Sequence, residues 1–528
     1  MGKRVLRLVS IIMVIFLLAS CASKKEDAVE SKQEAPKEKV AYDKGLANNM
    51  TSEPMYEREE MNTEEYARIK ENGFKLSLQN PLSTFSIDVD TASYSNVRRF
   101  LMDGEMPPED AVRIEEMINY FTYDYRKPEE DEPFSIINEI NKCPWNSEHN
   151  LAMVALKGRE IDSEKIAPSN LVFLLDVSGS MDDQDKLPLL KSSFKMLVNQ
   201  LDEKDKVSIV VYAGAAGVVL DSTDGSNKDK IIDAIENLHA GGSTAGGEGI
   251  ELAYKIAREN FIKDGNNRII LATDGDFNVG PSSDGALTRL VEKNRNDGVF
   301  LSVLGFGTGN LKDSKAELLA DKGNGNYSYI DNILEAKKVL VDEMGSTLFT
   351  IAKDVKFQIE FNPSKIKAYR LIGYENRLLN NEDFNDDKKD AGEIGSGHTV
   401  TVFYELIPFG LDEEIQGTDE LKYQNPQLKD SNDLMHIKLR YKDPDGKVSK
   451  LIELPILESQ ISKEASKDFN FSSAVAEFGM LLRDSEFKAD SSYDNVIEIA
   501  EKNKGEDVEG YRTEFIKMVK LAKELDNR

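Results

Sequence analysis

Six short apolar runs between residues 168 and 350 constrain the fold of this chain more than any other feature. Several of them are apolar nearly throughout, as strands are when both faces of their sheet are covered. Helical stretches separate most of the runs, which in order are SNLVFLLDV, KVSIVVYA, GVVLDS, NRIILATDG, GVFLSVLGFG and GNYSYI. This alternation predicts an α/β domain over residues 166–350, built on a doubly wound and mainly parallel sheet.

β-rich segments are predicted on both sides of this domain. Residues 76–165 predict an α+β flank, with the strands STFSIDVD, FSIINEINKC and LAMVALKGRE and the helices ASYSNVRRFLMDG and PPEDAVRIEEMINYF. Residues 351–460 predict antiparallel strands, including VKFQIEFN, HTVTVFYELI and LMHIKLRYKD, with the turn DPDGK. Residues 461–528 keep helical spacing. We therefore hypothesise that the flanking strands build one β-sandwich into which the α/β domain is inserted.

The N-terminus has the pattern of an export signal. Basic residues precede an apolar stretch over residues 8–18, which is shorter than the roughly 20 residues that span a membrane. Residues 18–21, Leu-Ala-Ser-Cys, resemble a bacterial lipobox, which implies cleavage of a signal peptide of residues 1–20 and acylation of Cys21. An ordinary signal peptide or a short uncleaved anchor are the alternatives. Residues 21–75 are polar and predict a disordered tether.

The net charge bears on the class of binding partner, and the cysteine content bears on disulfide bonds. The formal net charge of −28 argues against nucleic acid as a partner, because an acidic chain repels phosphate. If Cys21 carries lipid, the remaining Cys143 has no disulfide partner. Cys143 lies beside Pro144 and Trp145, and we expect it to be a buried apolar residue.

Polar residues follow the apolar runs at the points where a ligand site is expected. The stretch DVSGS carries Asp176, Ser178 and Ser180, and ATDGDFN ends another strand with Asp274. The loop AGGSTAGGEG adds Thr244. Ligands of open parallel sheets bind at the carboxyl ends of strands. Because the set offers oxygen donors alone, it favours a hard cation, Mg²⁺ first, with Ca²⁺ or Mn²⁺ as alternatives.

These motifs resemble those of a von Willebrand factor type A (VWA) domain, which has a Rossmann-like fold. The five residues match its metal-ion-dependent adhesion site one by one: Asp176, Ser178, Ser180, Thr244 and Asp274. The resemblance implies that a protein partner supplies a Glu or Asp to the metal. The flanking motifs STFSIDVDTASYSNVRRFL, VRIEEMINYF and GYRTEFIKMVKLA resemble bacterial YfbK-like lipoproteins, so the likeness spans about residues 82–525.

We expect a binding protein rather than an enzyme. The four histidines are scattered, and no Ser/His/Asp or Cys/His arrangement is evident. The prediction is a lipoprotein outside the cytoplasm, anchored in the cell membrane or an outer membrane, that mediates metal-dependent protein interaction or adhesion. A hydrolase whose metal activates water and a scaffold with a silent VWA domain are the alternatives.

For three further aspartates we predict a structural position rather than a role as metal ligands. Asp88 and Asp90 suggest a second metal site, but two carboxylates lack further ligands, and we predict that both face outward from a strand. We predict that Asp276 is a solvated charge at the rim of the first site.

Overall fold

The computed structural model describes residues 62–129, 132–161, 167–243, 246–275, 284–389, 391–417, 419, 428–429, 431–444 and 446–526. All of these residues belong to one compact unit. The predicted signal peptide, residues 21–61 of the predicted tether with Cys21, Thr244 and Asp276 lie outside the described residues.

The N-terminal flank contains both strands and helices, with two helices between two pairs of strands. Its elements are β1 (Lys75–Leu76), β2 (Leu82–Ser86), α1 (Ala92–Met102), α2 (Ile114–Asn119), β3 (Phe134–Cys143) and β4 (Asn146–Gly158). The second predicted helix is interrupted, because Val112 and Arg113 have extended backbone angles between a 3₁₀ turn at Glu109–Ala111 and α2. The Arg113 N–H donates instead to Oγ of Ser93 in α1, at 2.8 Å.

The α/β domain follows, and each of its six predicted strands is present. Its strands are β5 (Ser169–Asp176), β6 (Lys206–Tyr212), β7 (Ala216–Asp224), β8 (Asn266–Thr273), β9 (Phe300–Phe306) and β10 (Tyr327–Ile330). Its helices are α3 (Leu187–Gln200), α4 (Lys228–Glu236), α5 (Gly246–Glu259), α6 (Asp284–Asn296), α7 (Asp313–Lys322), α8 (Ile333–Lys337) and α9 (Met344–Leu348), with a π-helical turn at Lys338–Asp342.

The sheet of this domain is doubly wound. Its strand order is β10-β9-β8-β5-β6-β7, and every neighbouring pair is parallel except β6 with β7. Successive side chains of β5 enter different cores, since Leu171 and Phe173 lie in one hydrophobic cluster and Val172 and Leu174 in another. Helices therefore cover both faces, which explains why the strands are apolar throughout.

The C-terminal flank begins with six strands and ends with three helices in the described ranges. The strands are β11 (Thr350–Phe361), β12 (Ile366–Ile372), β13 (Gly392–Gly395), β14 (Thr399–Pro408), β15 (Asp433–Lys442) and β16 (Lys450–Leu457). The helices are α10 (Lys467–Leu482), α11 (Tyr493–Asn503) and α12 (Tyr511–Asp526). The described helices include none that is long and apolar enough to cross a membrane.

Strands from both flanks pair in the same two sheets. One sheet has the order β1-β12-β14-β4-β3, and the other has the order β13-β11-β15-β16 with β2 also on β11. Both sheets contribute to one hydrophobic cluster, for example Val154 and Val402 from the first and Phe357 and Ile437 from the second. The flanks therefore form one sandwich, and the predicted boundaries at 76–165 and 351–460 separate strands that belong together.

The C-terminal helices cover the outer face of the first sheet. Phe471, Phe478 and Phe515 of α10 and α12 share a hydrophobic cluster with Leu151 and Met153 of β4. The predicted C-terminal helical region is therefore a layer on the sandwich, to which α1 and α2 also contribute.

Glu477 is a buried carboxyl within this helical layer. It accepts hydrogen bonds from the Ser492 N–H and the Asn495 Nδ2 but forms no ion pair with any of the described residues. Burial raises the pKa of Glu477 to about 7, against the opposing effect of those hydrogen bonds. A raised carboxyl pKa means that folding takes up a proton, so this group makes the fold less stable as pH rises from about 4.5 to above 7.

We expect Glu477→Gln to raise the free energy of unfolding at pH 8.5 by about 2–3 kcal/mol and to change little at pH 5. The amide keeps the acceptor but carries no charge to desolvate. Urea unfolding at the two pH values measures the effect, with Glu486→Gln, at an exposed position, as the matched control. Equal effects at both pH values would contradict the assignment.

Candidate metal centre

Asp176 ends β5 and is fully buried. Its Oδ1 accepts the Ser178 N–H at 2.9 Å, and its Oδ2 accepts the Thr273 hydroxyl at 3.3 Å. The chain then enters a 3₁₀ turn at Gly179–Asp182, which brings Oγ of Ser178 to 3.1 Å from Oγ of Ser180. One carboxylate and two hydroxyls therefore meet at the carboxyl end of the central strand.

Asp274 supplies a second buried carboxylate from the end of the neighbouring strand. It follows β8, which pairs with β5, and its side chain has no exposed surface. Burial raises the pKa of Asp176 to about 6; hydrogen bonds from Ser178 oppose this shift and the charge of Asp274 adds to it. The Oδ1 of Asp274 is buried and has no hydrogen-bond partner among the described residues.

The glycine-rich loop lies against the serine turn. The Gly179 N–H donates to the carbonyl oxygen of Gly242 at 3.0 Å, and the Gly241 N–H donates to that of Val177 at 2.8 Å. Thr244 itself lies outside the described residues. The structure thus brings together the other four predicted ligands, and it places the loop that carries Thr244 beside them.

These residues fit a hard divalent cation. Two buried carboxylates, one with an unpartnered oxygen, need positive charge nearby, because buried anions are otherwise costly. Carboxylate and hydroxyl oxygens are ligands that Mg²⁺, Ca²⁺ and Mn²⁺ prefer. Asp176, Ser178, Ser180 and Asp274 are the described residues that could hold such an ion.

Lys186 is a further residue of this site that the sequence analysis missed. It immediately precedes α3, and its Nζ lies 3.2 Å from Oδ2 of Asp274 and 3.7 Å from Oδ2 of Asp183. The side chain is 5% exposed. The local sequence DDQDK gives little signal, because one lysine after several acids is typical of a solvated loop.

Residues near the N-terminus of the described chain contact the loop that follows β9, which lies beside the candidate metal centre. The Thr63 N–H donates to the carbonyl oxygen of Gly309 at 2.8 Å, and the Gly309 N–H donates to Oε1 of Glu64 at 2.9 Å. The same loop packs against Gly275, where an added Cβ would lie 2.5 Å from the carbonyl oxygen of Asn310. The predicted tether therefore ends earlier than residue 75, because residues from 62 onward already contact the α/β domain.

The prediction that Asp88 and Asp90 face outward from a strand is wrong. Strand β2 ends at Ser86, and Asp90 turns into the junction with the α/β domain, where its side chain is 2% exposed. Its Oδ1 accepts the Tyr327 N–H at 2.8 Å. Asp88 is partly buried, and burial raises its pKa to about 7, opposed by Arg377 and reinforced by neighbouring carboxylates.

Protein donors already neutralise the acidic cluster around Asp90. Oxygens of Asp90, Glu116 and Glu317 lie within 4.8 Å of one another. Arg377 lies 3.3 Å from Asp90 and 3.1 Å from Glu317, and Arg113 lies 3.2 Å from Glu317 and 3.4 Å from Glu116. These contacts make the cluster a junction of ion pairs rather than a set of free metal ligands.

Comparisons with known families agree with this architecture. The model "von Willebrand factor type A domain" matches residues 170–341, and "von Willebrand factor" matches residues 60–153. The model "Uncharacterized protein YfbK, C-terminal" matches residues 346–525.

One relative extends the match over most of the chain, and two others are similar to parts of it. Uncharacterized protein YfbK of Escherichia coli (strain K12) is 46% identical over 471 residues, which cover 87% of this chain and 81% of that protein. Inter-alpha-trypsin inhibitor heavy chain H3 of Homo sapiens is 25% identical over 277 residues, which cover 48% of this chain and 30% of that protein. The solved structure of von Willebrand factor type A from Catenulispora acidiphila covers 73% of this chain and 89% of its own, with 16% identity and a TM-score of 0.42.

The descriptions of these families and relatives name no enzymatic activity. The doubly wound α/β region is a VWA domain, which commonly mediates protein–protein interaction, and the chain belongs to the YfbK family of VWA proteins.

Proposed function

We propose that this protein is an extracytoplasmic lipoprotein whose VWA domain binds a divalent cation and, through it, a carboxylate of a protein partner. The observation that carries the proposal is the pair of buried carboxylates, Asp176 and Asp274, at adjacent strand ends. One oxygen of Asp274 has no partner among the described residues, and two serine hydroxyls lie beside Asp176. Mg²⁺ is the first choice of ion, with Ca²⁺ and Mn²⁺ as alternatives.

The neutral hydroxyls explain why a partner would be recruited. Ser178 and Ser180 offer oxygen without charge, so an ion held by them keeps positive charge toward solvent. A Glu or Asp of a partner would supply the missing anionic ligand. The ion would thus act as a bridge between two proteins, and the chain's own residues would hold and orient it.

The membrane anchor is proposed from the N-terminal sequence. Acylation of Cys21 after removal of residues 1–20 would attach the protein to the cell membrane or an outer membrane. One acyl chain gives marginal binding, whereas several hold a protein stably, since each buried methylene contributes about 0.8 kcal/mol. Palmitate labelling that persists in a Cys21→Ala variant would contradict this assignment.

We expect Asp176→Ala and Asp274→Ala to weaken divalent cation binding by at least about 100-fold while leaving the fold intact, because the loss of one ligand removes much of the site. Calorimetric titration of the full-length protein in detergent, after EDTA treatment, with MgCl₂ and MnCl₂ measures the binding. Asp221→Asn, at an exposed position on β7, is the matched control. Binding that survives in both alanine variants would place the ion elsewhere, and no binding by the unmodified chain at millimolar ion would remove the proposal.

A further inference from the structure

The candidate metal centre contains a buried lysine side chain, Lys186, that packs closely against a glycine. The methylene chain of Lys186 lies on Gly307, where an added Cβ would overlap Cγ of the lysine. Gly307 has a φ of +70°, a conformation that side chains with a Cβ rarely adopt. The glycine therefore leaves the space that the lysine fills, and packing directs the ammonium toward Asp274.

The positive charge of the Lys186 ammonium does not balance the negative charge of the two buried carboxylates. Asp176 and Asp274 are both fully buried, and Lys186 is the cation within 4 Å of Asp274 in the described structure. Among the buried groups, one positive charge therefore faces two negative ones, because Asp183, the third carboxylate near the ammonium, is exposed. The ammonium contacts Oδ2 of Asp274, whereas Oδ1 of the same carboxylate has no partner among the described residues.

We propose that Lys186 is a tethered counter-cation of the metal centre, which neutralises Asp274 in the metal-free protein and competes with the divalent ion for it. The inference rests on the proposed function. Two cations that share one carboxylate repel each other in a buried site, so the lysine lowers the affinity for the ion. The same contact keeps a buried carboxylate from being uncompensated when no ion is bound. Lys186 is thus a residue that sets metal affinity, without itself being a ligand.

The proposal predicts opposite effects of Lys186→Met on two measurements. In EDTA, the variant should melt at a lower temperature than the unmodified protein, because Asp274 loses its counter-cation. In MgCl₂ or MnCl₂, it should bind the ion at least about 10-fold more tightly and recover the lost melting temperature. A residue with only a packing role would lower the melting temperature in both conditions and would not tighten binding.

The experiment is calorimetric titration and thermal unfolding of the full-length protein in detergent, with Lys186→Met and Lys186→Gln in parallel. Lys195→Met, which removes an ion pair between α3 and Glu236 of α4 at the surface, is the matched control for the change in net charge. Unchanged or weaker binding by both Lys186 variants, with normal binding by the unmodified protein, overturns the inference alone. Binding by none of the proteins overturns the metal centre and the competition together.

Discussion

Replacing Arg98 by methionine is expected to lower the free energy of unfolding by about 3–5 kcal/mol. Arg98 in α1 is 2% exposed, and its guanidinium contacts Asp331 at 2.8 Å, Glu335 at 2.7 Å and Glu514 at 2.9 Å. It thereby joins the N-terminal flank, the end of the α/β sheet and the last helix. Without it, Asp331 and Glu335 remain as neighbouring buried carboxylates with no other ion-pair partner among the described residues.

Urea unfolding, followed by the fluorescence of the single tryptophan, Trp145, measures the loss. Adding Asp331→Asn and Glu335→Gln to the Arg98→Met chain should recover at least half of it, since the carboxylates no longer need compensation. Arg68→Met, at an exposed position, should change stability by no more than about 0.5 kcal/mol. A loss below about 1 kcal/mol, or no recovery in the triple variant, would contradict the role assigned to this arginine.

Residues 351–460 are expected not to fold when they are produced alone. In the intact protein β14 pairs with β4 from Thr399↔Lys157 to Leu406↔Asn150, and β11 pairs with β2. The fragment would lose both partner strands and the core residues that they supply, such as Phe85, Val154 and Leu156. A few strands without a complete core are marginal in water. Circular dichroism should show no cooperative thermal transition, whereas a stable cooperative unit would contradict the shared sandwich.

The complementary experiment adds back the strands of the N-terminal flank. Co-production of residues 62–161 with residues 350–526 should restore a cooperative transition, because the two pieces contain the strands of both sheets. Trp145 belongs to the first piece and donates through Nε1 to Glu405 of the second, at 3.2 Å. Its emission should therefore shift to shorter wavelength only when the pieces assemble. Emission of a solvent-exposed tryptophan in the mixture would show that the pieces do not pair.

The sequence was sufficient to predict the α/β domain because local pattern and burial agree there. Each strand is covered on both faces, so its apolar run is continuous. The predicted ligands Asp176 and Asp274 lie at strand ends. The shared sandwich was also predictable as a hypothesis, since alternating strands lie on both sides of the domain.

Residues whose position depends on distant partners were not predictable in the same way. Asp90 continues the alternation of β2 in sequence, but the strand stops at Ser86 and Arg377, far along the chain, neutralises the carboxylate. Lys186 is buried because Gly307 leaves space for it. Glu64 belongs to a polar stretch without periodicity. Its carboxylate is held by an ion pair with Arg99, whose Nη2 lies 2.9 Å from Oε2 of Glu64. In each case the position of the side chain depends on residues far along the chain, which a local sequence pattern does not reveal.

The insertion of the VWA domain would also determine how the protein responds to a pull exerted by a bound partner. The chain enters at the start of β5 and returns to β11 after α9, at the end of the sheet opposite Asp176. A pull exerted through the carboxyl edge and resisted by the sandwich is therefore shared by two covalent crossings. The pull also runs along β5, whose ladders to β6 and β8 lie across that direction. Both ladders would bear the load at once, in shear, so the domain should resist extension better than one whose strands separate by breaking single hydrogen bonds in succession.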